Sequence, residues 1–143
     1  QMYSRLLAMG GAVNYIQGMF MGIGLEPWMV IALMMAIWIV LGMLIDSVSI
    51  ILLTVPIFAP MAMALGFDPI AFAIFGILVI EAGLLTPPFG ILVYTVKGAL
   101  PDKTVTLGAI FKGATPYFVL ILVASLMVLT MPWLATWLPK VML

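Results

Sequence analysis

Glu81-Ala-Gly-Leu-Leu-Thr-Pro-Pro-Phe-Gly90 places a carboxylate, two glycines and a double proline between two strongly apolar segments, 70–80 and 91–96. Pro87 and Pro88 remove two backbone donors and disfavour helix at Thr86 and Pro87. Gly83 loosens the preceding turn, and Gly90 permits unusual dihedrals or close approach. In lipid, backbone groups released from a helix must find protein, water or a bound ion. The run therefore predicts two half-helices separated by an extended stretch, in a position where such a break is useful.

Lipid is the relevant solvent because the chain is 66% hydrophobic and only 7% charged over 143 residues. A soluble domain carries about 25% charged residues. Net charge is zero, so no basic surface points to nucleic acid. Cysteine and histidine are both absent, which removes disulfides, thiol chemistry and the usual zinc or haem ligands. No catalytic triad can be assembled, Ser4, Ser47, Ser49 and Ser125 have no partner base, and there is no phosphate-binding Walker loop. The chain reads as a membrane protein and not as an enzyme, with no cofactor. It starts at Gln1 without a signal-peptide pattern, and is expected to be the tail of a longer polypeptide.

Spans follow from apolar length, since about 20 residues cross a bilayer core. Residues 1–27 form either a weak span or an interfacial arm helix. Residues 28–66 divide into two arms, Trp28–Ile45 and Ile50–Leu65, joined by Asp46-Ser-Val-Ser49. Such a short connector fits a re-entrant hairpin, the alternative being two ordinary spans with a tight turn. Pro56 and Pro60 should bend the second arm. Gly66-Phe-Asp-Pro69 is a turn, and 67–98 is a discontinuous helix broken at 86–90. A loop over 99–116 and a terminal span over 117–138 complete the chain, with Tyr117 at one end and Trp133 and Trp137 at the other as interfacial anchors. Three of the five basic residues, Lys97, Lys103 and Lys112, surround that loop and predict it to be cytoplasmic. The hairpin then opens to the outer side, where the C-terminus also ends. Lys97 is expected to snorkel to headgroups.

Two places could carry chemistry. Asp46, Ser47 and Ser49 put a carboxylate and two hydroxyls where two helices end, and an intramembrane carboxylate is a functional hypothesis by default. Asp46 or Ser47 could equally serve as a helix cap. At the break, carbonyls ending the first half-helix and the Thr86 hydroxyl offer oxygens suited to sodium. Glu81 could be a coupling residue, a hydrogen-bond acceptor supporting the break, or a protonated structural group; support is the preferred role. A lone proline kink would be structural. A broken helix beside a polar-tipped hairpin points instead to an ion or substrate site near the midplane.

Gly42-Met-Leu-Ile-Asp-Ser-Val-Ser-Ile-Ile-Leu-Leu-Thr-Val-Pro-Ile-Phe-Ala-Pro60, Leu65-Gly-Phe-Asp-Pro69, the Glu81–Gly90 run and Val96-Lys-Gly98 together resemble the large membrane subunit of tripartite ATP-independent periplasmic (TRAP) transporters. The resemblance runs from about residue 28 to 138. It implies an all-α integral membrane fold of the elevator type, built from two inverted repeats, of which this chain holds the second. It also implies sodium-driven symport of organic acids such as C4-dicarboxylates or sialic acid across a bacterial or archaeal inner membrane. The partners implied are a small membrane subunit, a periplasmic substrate-binding protein and the first repeat of the large subunit, without which the chain should not transport. Carried over by position, Asp46, Ser47, Ser49, Thr86 and Gly90 would frame a sodium site. Ser47, Ser49, Pro87 and Pro88 would line the substrate cavity, with Glu81 and Gly83 supporting them. No arginine lies near either motif. The competing reading is a channel or structural membrane protein with a proline-kinked helix.

Overall fold

The computed structural model describes residues 26–142, without the side chains of 138–140 and 142; before Glu26 only Gly11, Tyr15, Gly18 and Gly24 are described. The weak span or arm helix expected over 1–27 lies outside the described residues. Every element described is helical: α1 (Pro27–Leu44), α2 (Ser47–Ala64), α3 (Pro69–Leu84), α4 (Ile91–Ala99), α5 (Leu107–Thr130) and α6 (Trp133–Met142). Among them α1, α2 and α5 are long and apolar enough to cross a membrane.

Local chemistry sets most of these boundaries. Pro27 opens α1 at a position where its missing N–H costs nothing. Asp68 caps α3, its Oδ1 accepting from the N–H groups of Ile70 and Ala71 at 2.9 Å each, and Pro69 supplies the first helical residue. Between them Gly66, at φ 88°, makes the left-handed turn that ends α2.

The centre of the fold is α3, which packs against α1, α2 and α5. Nine of its sixteen residues are buried, and they lie on several faces, so helices must surround it. Small residues permit close approach. A Cβ built on Gly83 would lie 2.9 Å from the Gly42 Cα, and one on Gly42 would lie 2.8 Å from the Gly83 Cα. Helices α1 and α3 therefore cross backbone to backbone, as small residues allow in membranes. One turn of α1 earlier, Trp38 lies over Gly76 and against Phe58 and Phe72. Its indole N–H donates to Thr54 Oγ1 at 2.7 Å, and that hydroxyl donates to the Ile50 carbonyl at 2.8 Å. This buried chain of hydrogen bonds ties the two arms together.

It also gives a stability prediction. Thr54→Val removes the only acceptor of a buried indole N–H and should cost about 1–3 kcal/mol. Trp38→Ala should cost about 3–5 kcal/mol through the cavity it leaves. Thermal unfolding in detergent measures both, and a Thr54→Val protein that melts with the wild type would show that the bond contributes nothing.

Several boundaries differ from those expected. The polar connector is shorter than Asp46–Ser49: only Ile45 and Asp46 lie between helices, and Ser47 to Ser49 form the first turn of α2. The helix also continues through Pro56 and Pro60. The loop expected over 99–116 spans only 100–106, because α5 starts at Leu107 with a Thr106 cap and passes through Pro116. The terminal span expected over 117–138 is in fact Leu107–Thr130. It stops there because Pro132 disfavours helix at Met131. Tyr117 consequently lies mid-helix, while Trp133 and Trp137 sit exposed on the separate α6. Lys97 does not simply snorkel: its Nζ donates to the carbonyls of Lys103, at 3.2 Å, and Val105, stapling the 100–106 loop to the end of α4. Within that loop, the Thr104 hydroxyl and N–H donate to Asp102 and hold its carboxyl below the usual aspartate range.

Candidate functional site

The break between α3 and α4 is a compact turn and not the extended stretch expected. Leu85 and Thr86 donate their N–H groups back to the Ala82 and Gly83 carbonyls at 3.1 and 3.0 Å, and Gly90 donates to the Thr86 carbonyl at 3.0 Å. The Thr86 hydroxyl donates to the Ala82 carbonyl at 2.9 Å, so Thr86 leans on the end of α3 rather than on Glu81. The Pro87–Pro88 peptide bond is cis. Three of the carbonyls that a cation could use, those of Ala82, Gly83 and Thr86, are thus already accepting within the turn. The Ala82 carbonyl accepts twice, from Leu85 and from the Thr86 hydroxyl, and has no lone pair to spare, whereas the Thr86 carbonyl and hydroxyl each retain one.

Gly90 is buried for a packing reason: a Cβ there would meet the Phe111 ring at 2.8 Å and the Thr86 carbonyl at 3.2 Å. Gly83 is likewise explained by the crossing with Gly42, not by a looser turn. Glu81 is half-buried on α3, while Pro87 and Pro88 are exposed. Tyr94 on α4 reaches back, its hydroxyl 3.4 Å from the Pro88 carbonyl, and its ring meets Phe111 edge-on.

At the other motif, capping is what Asp46 does. Its Oδ2 accepts from the Ser49 N–H at 2.9 Å and its Oδ1 from the Ser49 hydroxyl at 2.7 Å. The carboxylate and one of the two serines are therefore engaged with each other, on the exposed tip of the hairpin. Ser47 is half-buried beside them. A cap of this type does not exhaust a carboxylate, which accepts about four hydrogen bonds.

No hydrogen bond joins the tip to Thr86 or Gly90. What the two motifs share is an open cleft: Met43 and Leu44, just before the tip, face Phe89, Ile91, Tyr94 and Thr95, just after the break. Thr86 and Pro87 line a second cleft of about 380 Å³, together with Leu85, Phe111, Lys112, Thr115 and Phe118. The break thus stands between two clefts, one toward the hairpin and one toward α5. Sequence reasoning missed Tyr94, Thr95, Lys112 and Thr115. Two adjacent residues bearing hydroxyls after the apolar run Ile91–Val93 were a readable signal for Tyr94 and Thr95. Lys112 carried none, because it was assigned to a loop.

Comparison with known proteins bears on the family. The family model described as tripartite ATP-independent periplasmic transporter, DctM component, matches residues 1–134. The chain is 33% identical over 118 residues to a C4-dicarboxylate TRAP transporter large permease protein of Pseudomonas aeruginosa, covering 82% of this chain and 27% of that protein. It is 32% identical over 126 residues to a sialic acid TRAP transporter large permease protein of Vibrio cholerae, covering 87% and 28%. An ectoine TRAP transporter large permease protein of Halomonas elongata is 34% identical over 88 residues, covering 61% and 20%. The chain spans little more than a quarter of the length of the first two relatives. No solved structure matches it.

Proposed function

The chain belongs to the DctM component family of tripartite ATP-independent periplasmic transporters, and on that premise we propose that it forms the second-repeat transport elements of a sodium-coupled large permease importing organic acids. The observation carrying this is the helix break at 85–90, which shares one cleft with the residues just before the polar tip of a hairpin. In this reading α1 and α2 are the re-entrant hairpin opening to the periplasm, and α3 with α4 is the discontinuous helix. The 100–106 loop is cytoplasmic and the C-terminus periplasmic, in a bacterial or archaeal inner membrane. The first repeat supplies the opposite wall of the site. A small membrane subunit and a periplasmic binding protein that delivers the acid complete the assembly.

Sodium would take hydroxyl and carbonyl oxygens around Thr86 and Gly90 on one side and Asp46, Ser47 and Ser49 on the other. A hard cation suits such donors. The internal bonds at both motifs support this reading, because they fix the oxygens in place before an ion arrives. Ser47, Ser49, Pro87 and Pro88 would border the substrate, with Glu81 and Gly83 behind them. The C4-dicarboxylate and sialic acid named for the relatives are both carboxylates, and they set the substrate class proposed here.

Ser49→Ala and Thr86→Ala in the full permease test the ion site. Each deletes one oxygen and should raise the sodium concentration for half-maximal uptake about tenfold, at unchanged protein level. Wild-type sodium dependence in both variants would sink the site assignment. Currents that do not saturate with substrate would favour a channel instead.

A further inference from the structure

We propose that Lys112 is the cation that receives the substrate carboxylate in the cleft between the helix break and α5. This rests on the permease reading above and adds to it a residue outside both sequence motifs. Neither motif contains a basic side chain, so anion recognition had no positive charge of its own. The fold supplies one. Lys112 lies 26 positions beyond Thr86 in the chain, yet α5 packs on α3 so that Lys112, Thr115, Thr86 and Pro87 line one cleft.

The chemistry of that lining is one-sided. It holds one ammonium and two threonine hydroxyls, walled by Phe111 and Phe118, and no carboxylate that would neutralise the lysine. The hydroxyls donate to helix carbonyls, Thr86 to Ala82 and Thr115 to Phe111. A threonine hydroxyl has one proton, so toward a ligand these two act as acceptors, and the ammonium is the donor that a carboxylate needs. Phe111 and Phe118 flank these polar groups, and a carboxylate contact with an ammonium is charge-assisted. A volume of about 380 Å³ holds a molecule the size of a small organic acid. Lys103 and Lys97 do not compete for this role: Lys97 is committed to the loop carbonyls, and neither lines the cleft.

Standing on the α5 side of the break, Lys112 would meet the acid after it has passed Thr86 and Pro87. It would therefore govern affinity on that face of the carrier. The test uses the full permease with its partner subunits in proteoliposomes, reading counterflow of labelled succinate, sialic acid and ectoine. Lys112→Gln should raise KM for the transported acid about tenfold with kcat within about twofold, and Lys112→Arg should restore most of it. Lys112 is exposed, so the substitutions should leave the amount of folded protein unchanged. A Lys112→Gln protein that transports with the wild-type KM overturns the assignment and leaves the permease reading standing. Wild-type vesicles that take up none of the three acids overturn the permease reading, and the role of Lys112 with it.

Discussion

Gly83→Val should prevent the helical core from assembling, and it is expected to be among the most damaging single changes in the chain. The new side chain would start 2.9 Å from both the Gly42 Cα and the Ile39 carbonyl, and 3.2 Å from the Trp38 carbonyl. All three neighbours are backbone, so no rotamer change relieves the overlap. Helices α1 and α3 must separate along their length, and Trp38 then loses the surface of Gly76 on which it lies. Overpacking of this kind costs about 3 kcal/mol or more when the neighbours cannot move. That is a large share of the stability of a small helical core. Gly42→Val should behave alike, since the same contact is approached from the other side at 2.8 Å. Gly98→Val is the contrast: nothing lies within 4 Å of a Cβ there. Its effect should stay within about 0.5 kcal/mol. Detergent-solubilised protein resolved by size and by melting temperature distinguishes these cases. Equal melting of the Gly83 and Gly98 variants would show that the crossing is not as close as drawn.

How far the sequence reveals this fold depends on whether a signal is local. The helix expected over 28–45, the turn at 66–69 and the break near Thr86 follow from residues within a turn of the event, and the helix lies within a residue of where the sequence places it. Prolines are harder. Pro87 and Pro88 break a helix, whereas Pro56, Pro60 and Pro116 lie inside helices that continue. One difference is visible: the continuing helices meet single prolines with strong helix on both sides, and the break meets two in a row. A single missing N–H leaves only one carbonyl without its helix partner, that of Lys112 in the case of Pro116. Partners distant in sequence leave no such trace. Gly42 meeting Gly83, Trp38 reaching Thr54 and Lys112 lining one cleft with Thr86 are products of packing. For the same reason Lys97 reads from sequence as a headgroup anchor, though its carbonyl partners lie six and eight residues away.

The candidate site follows that division. Asp46, Ser49 and Thr86 are marked as polar atoms at helix ends, which is a local property. That Asp46 spends both oxygens on Ser49 depends on α2 starting at Ser47, three residues earlier than the apolar pattern indicates. The hydroxyls drew Ser47 to Ser49 into the connector, whereas such residues also favour a first helical turn after an aspartate cap. The separation of the break into two faces has no sequence signature at all. It comes from α5 packing along α3.

Replacing Pro87 and Pro88 together by alanine should abolish uptake by the full permease, by about a hundredfold or more, without preventing insertion. Each proline disfavours a helix interior by about 3 kcal/mol relative to alanine, so the pair sets a local preference of about 6 kcal/mol against continuation. Opposing this in the variant are the ties that hold α4 at its present angle. These are the buried Val93, the Gly90 approach to Phe111, the Tyr94 contact and the Lys97 staple. Hydrogen bonds among them contribute about 1 kcal/mol each net. Their sum is smaller than the change in helix preference, so α3 should extend through residues 85–90 and carry α4 with it. Thr86 would then lose its place at a helix end, and both clefts would lose a wall. Because this chain contains no cysteine, the movement can be read directly. Cysteines at 94 and 111, where the native rings have centroids 6.5 Å apart, should be joined by a bifunctional thiol reagent in the parent sequence and not in the double-alanine background. A cross-link that persists together with normal uptake would mean that tertiary packing alone, and not the prolines, holds the break open.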